Sequence, residues 1–127
     1  MLSENDIARI AGRIAGHYSP LVVGIFGSYA IGAARERSDL DLFVIKDCAE
    51  PAAVRRQAVR RLLFGVLRPL DIHVFTPAEF EAAASEALSF AWVMARQARL
   101  YHWTQEAKRL VPSLFVRREQ DQLRIIR

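Results

Sequence analysis

The sequence predicts an α/β layer fold on three observations. Apolar residues recur at helical spacing in some segments, short runs of branched residues stand between them, and the two kinds of segment alternate along the 127 residues. The length suits one compact domain, and a 52% hydrophobic composition allows a core without staples. Ser3 is placed to cap a first helix, with Asp6 near the positive end of its dipole. Ile7, Ile10, Ala11 and Ile14 follow at helical spacing, and Gly16 and Pro20 bracket the stop. Residues 21–26 form a branched apolar run that reads as a buried strand. It ends at Gly27-Ser28, where the chain is expected to enter a helix through small residues to Ala34.

Leu40, Leu42 and Val44 then alternate with Asp39, Asp41 and Phe43, a strand whose mouth is acidic on one face. Glu50-Pro51 opens another helix, with Val54, Ala58, Leu62 and Val66 on its apolar side. Arg55, Arg56, Arg60 and Arg61 fall on the rest of that helix and read as a solvated face. Pro69 resets the chain, and residues 70–75 make a third strand. Thr76-Pro77-Ala78-Glu79 is a capping box with proline at the first helical position. The helix that follows is expected to bury Phe80, Ala84, Ala87, Leu88, Ala91, Met94, Ala95 and Ala98. Residues 100–103 read as a further short strand or turn, with Tyr101, His102 and Trp103 packed against the sheet end. The domain is therefore expected over residues 1–111, and Pro112 introduces a charged tail over residues 112–127.

Eighteen Lys and Arg, sixteen of them Arg, face 14 Asp and Glu, for a formal charge of +4. That modest excess fits a phosphate-bearing ligand and does not by itself indicate nucleic-acid binding, which is not expected. Cys48 is the only cysteine, so neither an internal disulfide nor a Cys-based zinc site exists. This agrees with a reducing cytoplasm. Residues 1–17 carry Glu4, Asp6, Arg9 and Arg13 within their apolar pattern and read as neither signal peptide nor membrane span. No later apolar stretch is long enough to cross a bilayer.

The chemistry is concentrated in Gly27-Ser28-Tyr29-Ala30-Ile31-Gly32 and Ser38-Asp39-Leu40-Asp41-Leu42. Residues i and i+2 of a strand share a face about 6.5–7 Å apart, so Asp39 and Asp41 converge on one volume. Two ionised carboxylates that close repel unless a cation sits between them, and hard oxygen ligands suit Mg²⁺. The glycine-serine turn presents backbone N–H groups and a hydroxyl to an anion. A phosphate cradle beside a metal pair is the equipment of phosphoryl or nucleotidyl transfer. A third carboxylate is then needed from another strand. Asp71 opens the run Asp71-Ile72-His73-Val74-Phe75 and mirrors Asp41, placed to ligate one metal and to help deprotonate an attacking hydroxyl. His73 shares a face with Asp71 and reads as a core histidine, with contact to substrate as the alternative.

At these residues the sequence resembles the nucleotidyltransferase superfamily typified by DNA polymerase beta. The family pattern is Gly-Ser, a short helix, Asp-x-Asp and a distant third Asp on a neighbouring strand. The likeness is to the minimal nucleotidyltransferases of prokaryotes and covers residues 21–80. It implies a small mixed, partly antiparallel sheet with helices mainly on one side. Gly27 and Ser28 would bind the β- and γ-phosphates of ATP, Asp39 and Asp41 would bind two Mg²⁺ ions, and Asp71 one of them. Many minimal members have Arg where this chain has Ile31. That phosphate contact passes to Arg35 or Arg37, beside Ser38, or else activity is weak.

With 127 residues the chain is expected to lack room for a dedicated acceptor-binding domain, so the acceptor is expected to come from a second subunit. The resemblance implies an antitoxin that transfers AMP to a hydroxyl of a helical, HEPN-type toxin. The alternatives are transfer to a small molecule such as an aminoglycoside through a homodimer, or a non-catalytic binding module.

Overall fold

The computed structural model describes residues 1–116. Helix α1 (Glu4–Tyr18) precedes strand β1 (Val22–Phe26). A long turn region leads to β2 (Leu40–Ile45), and α2 (Ala52–Leu62) crosses over to β3 (Leu70–Phe75). There follow α3 (Pro77–Ala84), α4 (Phe90–Gln97), β4 (Arg99–Trp103), α5 (Gln105–Leu110) and a 3-10 turn (Pro112–Leu114). The four strands form one mixed sheet in the order β3-β2-β1-β4. β2 and β3 are parallel, as a helical crossover requires, whereas β1 runs antiparallel to both β2 and β4. The mixed sheet matches the expectation, and residues 100–103 are strand. No helix among the described residues is long and apolar enough to cross a membrane.

Period-two alternation divides the sheet into two faces. Val23, Ile25, Leu40, Leu42, Val44, Ile72 and Val74 point to one face. There Ile7, Ile10, Ala11 and Ile14 of α1 and Val59 of α2 cover them. Ser3 and Asp6 complete the cap of α1 reciprocally, the Asp6 amide donating to Ser3 Oγ and the Ser3 amide to Asp6 Oδ2. The second face is not bare: Val22, Phe43 and Ile45 pack with Phe80, Ala91, Met94, Ala98 and Leu114. Phe43 lies stacked on Phe80, its ring over Gly24, where an added Cβ would stand 2.6 Å from the ring. Helices thus cover one face throughout and half of the other, and the remaining half carries the carboxylates.

Three local expectations are corrected. First, Gly27-Ser28 leads into a bonded turn, not a helix. Ala30 and Ile31 donate to the Gly27 carbonyl and Ala33 to that of Ser28, and the chain then leaves the turn. Second, the buried line of α2 is Arg55, Val59 and Leu63, one position on from the predicted stripe, and Val54 is exposed. Arg55 is therefore buried, while Arg56, Arg60 and Arg61 are exposed. Its guanidinium donates to both carboxylate oxygens of Glu79 and to the carbonyls of Val74 and Glu50. Third, the single helix expected after Thr76 is broken. Ser89 caps a new helix, accepting from the Trp92 amide and donating to the Ala83 carbonyl. Ala87 and Leu88 fall in the break and are exposed. Of the expected tail, Pro112 opens a turn that buries Leu114 and Phe115 in the core, and residues 117–127 lie outside the described residues.

Candidate active site

The site lies where β1 ends and β2 and β3 begin. Antiparallel pairing sets Phe26 against Asp41, and parallel pairing sets Asp41 against Asp71. Directly paired residues project to the same face, so Phe26, Asp41 and Asp71 form one row across three strands. The next row holds Gly24, Phe43 and His73. Asp39, exposed, precedes Asp41 by two positions on the way into β2. The two strands thus bring Asp41 and Asp71 into one row, while Asp39 stands just before β2.

The neighbouring charges are felt at Asp41. Its carboxyl is held above the usual carboxylate value, first by burial, then by the negative charges of Asp71 and Asp39, with His73 pulling the other way. A half-buried carboxylate crowded by two others is short of positive charge. The donors are hard oxygens, so the set fits a divalent cation of the Mg²⁺ type in its chemistry. Among the described residues, however, no three His, Cys, Asp or Glu side chains are gathered so that they could hold a metal ion, the predicted trio Asp39, Asp41 and Asp71 included.

Gly27 adjoins this centre. Its φ of 72° lies in the left-handed region, and a Cβ there would stand 3.1 Å from Asp41 Cγ and closer still to Oδ2. Glycine is required twice over, by the backbone and by the carboxylate packed against it. The turn's own bonds start at Ala30, which leaves the amides of Ser28 and Tyr29 outside them. Gly27→Ala is expected to lower stability by about 1–2 kcal/mol through the left-handed backbone alone, and to swing Asp41 out of its row. A thermal melt checks the first part; an unchanged melting temperature would contradict it.

The remaining predicted residues stand farther along the chain. Arg35 and Arg37 are exposed on the turn before β2. Ser38 Oγ accepts from the Arg35 amide, and the Ser38 amide donates to the Arg35 carbonyl, so Ser38 shapes that turn. Ile31 is exposed.

Two more residues adjoin the site: His73, for which substrate contact is the second reading, and Phe90, which sequence reasoning had not placed there. His73, read as a core histidine, has Nε2 3.2 Å from Asp71 Oδ2 and is partly exposed. The signal was present, since period two puts it beneath Asp71. Its ring also meets those of Phe26, Phe75 and Phe90 at centroid distances of 5.4, 6.4 and 5.4 Å. Phe90, the first residue of α4, stands edge-on to Phe26 at 5.4 Å and 81°. Nothing local in the sequence announces Phe90.

Residues 7–100 match the model of the nucleotidyltransferase domain family. Among solved structures, a Sulfolobus solfataricus protein assigned as a nucleotidyltransferase is similar with a TM-score of 0.54 at 22% identity, over 79% of this chain and 78% of that one. A toxin-antitoxin structure with AMP-PNP gives 0.57 at 17%, over 97% and 92%. A mutant of the toxin-antitoxin MntA-HpeT gives 0.56 at 14%, again over 97% and 92%. At these identities the likeness is one of fold. No curated protein matches the chain.

Proposed function

We propose that this chain, which belongs to the nucleotidyltransferase domain family, transfers AMP from ATP to a hydroxyl of a partner protein, as the antitoxin of a toxin-antitoxin pair whose toxin is a helical, HEPN-type protein. One observation carries the reading. Asp41 and Asp71 are directly paired on adjacent strands, and Asp41 is packed against Gly27 at the head of a turn with free-standing amides. The neighbours that include toxin-antitoxin structures, one with AMP-PNP, support the choice of partner and nucleotide.

In this reading the amides and hydroxyl at Gly27-Ser28 receive the β- and γ-phosphates, with Arg35 or Arg37 as the added cation. Asp39 and Asp41 would hold two Mg²⁺ ions and Asp71 one of them. Bound divalent cations supply charge neutralisation at the attacking and leaving oxygens. In this reading Asp71, the acid at the sheet edge, takes the proton of the acceptor hydroxyl. The acceptor oxygen forms a bond to the α-phosphorus, the bond from that phosphorus to the bridging oxygen breaks, and pyrophosphate leaves. His73 holds Asp71 from below.

Incubation of the chain and its co-purifying partner with α-labelled ATP and Mg²⁺ tests this. Label is expected on the partner with wild type and not with Asp41→Asn. Equal labelling by both would refute the assignment.

A further inference from the structure

We propose that the groove between α1 and the loop joining α2 to β3 is a docking site for an acidic, amphipathic helix of a partner protein. The groove lies on the side of the sheet that α1 covers, and the carboxylate row lies on the other. The inference therefore stands apart from the transfer reading.

The loop, residues 63–69, is firmly built. The Val66 amide donates to the Leu63 carbonyl at 3.0 Å, and Gly65 takes a φ of 96°, a conformation that favours glycine. From α1, the Arg13 guanidinium donates to the Phe64 carbonyl at 3.3 Å. Yet this well-bonded loop displays apolar side chains to solvent: Leu67 is 92% exposed and Phe64 is 87% exposed. Together α1 and the loop bound a groove of about 800 Å³. Leu2 and Ile10 line it on the α1 side, and Val66 and Leu67 on the loop side. Gly12 lines it as well, and a Cβ there would meet nothing within 4 Å. A glycine inside a helix is destabilising, and here the space above it is open.

Charge selects the occupant. Arg9, Arg13 and Arg68 line the groove with one acid, Asp6. Asp6 is already committed, accepting from Arg9 at 2.6 Å and from the Ser3 amide. Arg13 and Arg68 donate to main-chain carbonyls, those of Phe64 and Glu36, and neither is paired with a carboxylate among the described residues. Arg9 and Arg13 also stand four apart on α1, where like charges repel. Uncompensated guanidiniums beside aliphatic walls fit carboxylates that flank an apolar stripe. The walls are a helix and a loop, with no strand edge to extend, so the stripe is that of a helix, with apolar residues three and four apart. A second copy does not suit, because two such basic grooves repel. The chain's own residues 117–127 carry four Arg against Glu119 and Asp121, the wrong sign for this groove. The lining holds no aromatic ring on which a nucleic-acid base could stack.

The test uses the full chain and a fluorescein-labelled helical peptide of about 15 residues, about 22 Å long, with a Leu stripe flanked by Glu. A control peptide has Lys in place of every Glu. Fluorescence anisotropy is expected to show binding of the acidic peptide and not of the basic one. Arg13→Glu and Leu67→Ser are each expected to weaken that binding about tenfold or more. Gly12→Leu fills the groove and removes a glycine from the helix, so it is expected to lose the peptide and to melt no lower than wild type. Affinity for a non-hydrolysable ATP analogue with Mg²⁺ should be the same in all three variants as in wild type. No binding of the acidic peptide, equal binding of both peptides, or binding that survives Arg13→Glu and Leu67→Ser would overturn the proposal. So would displacement of the peptide by oligouridylate or by phosphatidylglycerol vesicles, or a dimer in sedimentation that Leu67→Ser disperses. Those results would give the groove to RNA, to a membrane or to a second copy. Peptide binding by a wild type that binds no analogue keeps the docking site and sinks the transfer reading.

Discussion

Asp41→Asn is expected to lower nucleotidyl transfer by about a thousandfold or more while leaving the fold intact. The variant keeps the shape of the side chain and removes the charge at the centre of the carboxylate row. The same change has a signature that needs no turnover. Burial first, and then Asp71 and Asp39, hold the Asp41 carboxyl above its ordinary value of 3.8. A group with a raised pKa in the folded chain binds its proton more tightly there. The stability it confers is complete below 3.8 and is lost as pH rises through the raised value. At neutral pH the metal-free protein has lost it. Metal-free Asp41→Asn is therefore expected to melt above metal-free wild type at neutral pH, and the gap should close on acidification. Mg²⁺ should raise the melting temperature of wild type and do little for the variant. A variant that melts below metal-free wild type at neutral pH would contradict the crowding described for this site.

Glu79→Ala should have the largest effect on stability, about 3 kcal/mol. Arg55 is 4% exposed, and its guanidinium would be left with two carbonyls and no counter-charge. Arg55→Met should be milder, because Glu79 is half exposed and an apolar side chain of similar length fills the space. The double variant Arg55→Met with Glu79→Gln should then recover most of what Glu79→Ala loses. Urea titrations separate the three. The pair also predicts acid behaviour. The guanidinium first, and then the Thr76 amide, hold the Glu79 carboxyl down at about 2 against an ordinary 4.5. A depressed carboxyl contributes stability that is present above 4.5 and lost as pH falls toward 2. Glu79→Gln should flatten that part of the pH profile.

What was legible in the sequence was what depends on local period. Asp39 and Asp41 read as sharing a face from their spacing of two, although β2 begins only at Leu40, and Asp71 with His73 has the same spacing within β3. Ser3 and Thr76 each carry the partner of their capping box three residues on, so both helix starts were readable. Arg55 was not, because its partner Glu79 lies on a different helix 24 residues away. An arginine on an amphipathic helix reads as solvent-facing until that partner is known. The break at residues 85–89 was hidden for a related reason. Alanines and leucine continue the helical pattern across it, whereas Leu88 turns left-handed and Ser89 bonds back to the Ala83 carbonyl and caps a new helix. Phe90 reaches the site through that break, so it was hidden with it. The helix expected after Gly27 was set by composition, whereas the observed bonds close a turn and then stop.

The place of β3 at the border of the sheet has one more consequence. A border strand offers unpaired main-chain groups to any passing extended chain, and an unguarded one invites association between molecules. Arg55 occupies the carbonyl of Val74 on β3 with a charged, donor-only group. That guanidinium is therefore a guard against edge-to-edge aggregation as well as a brace. Variants that lose it should be judged by light scattering alongside their melting curves.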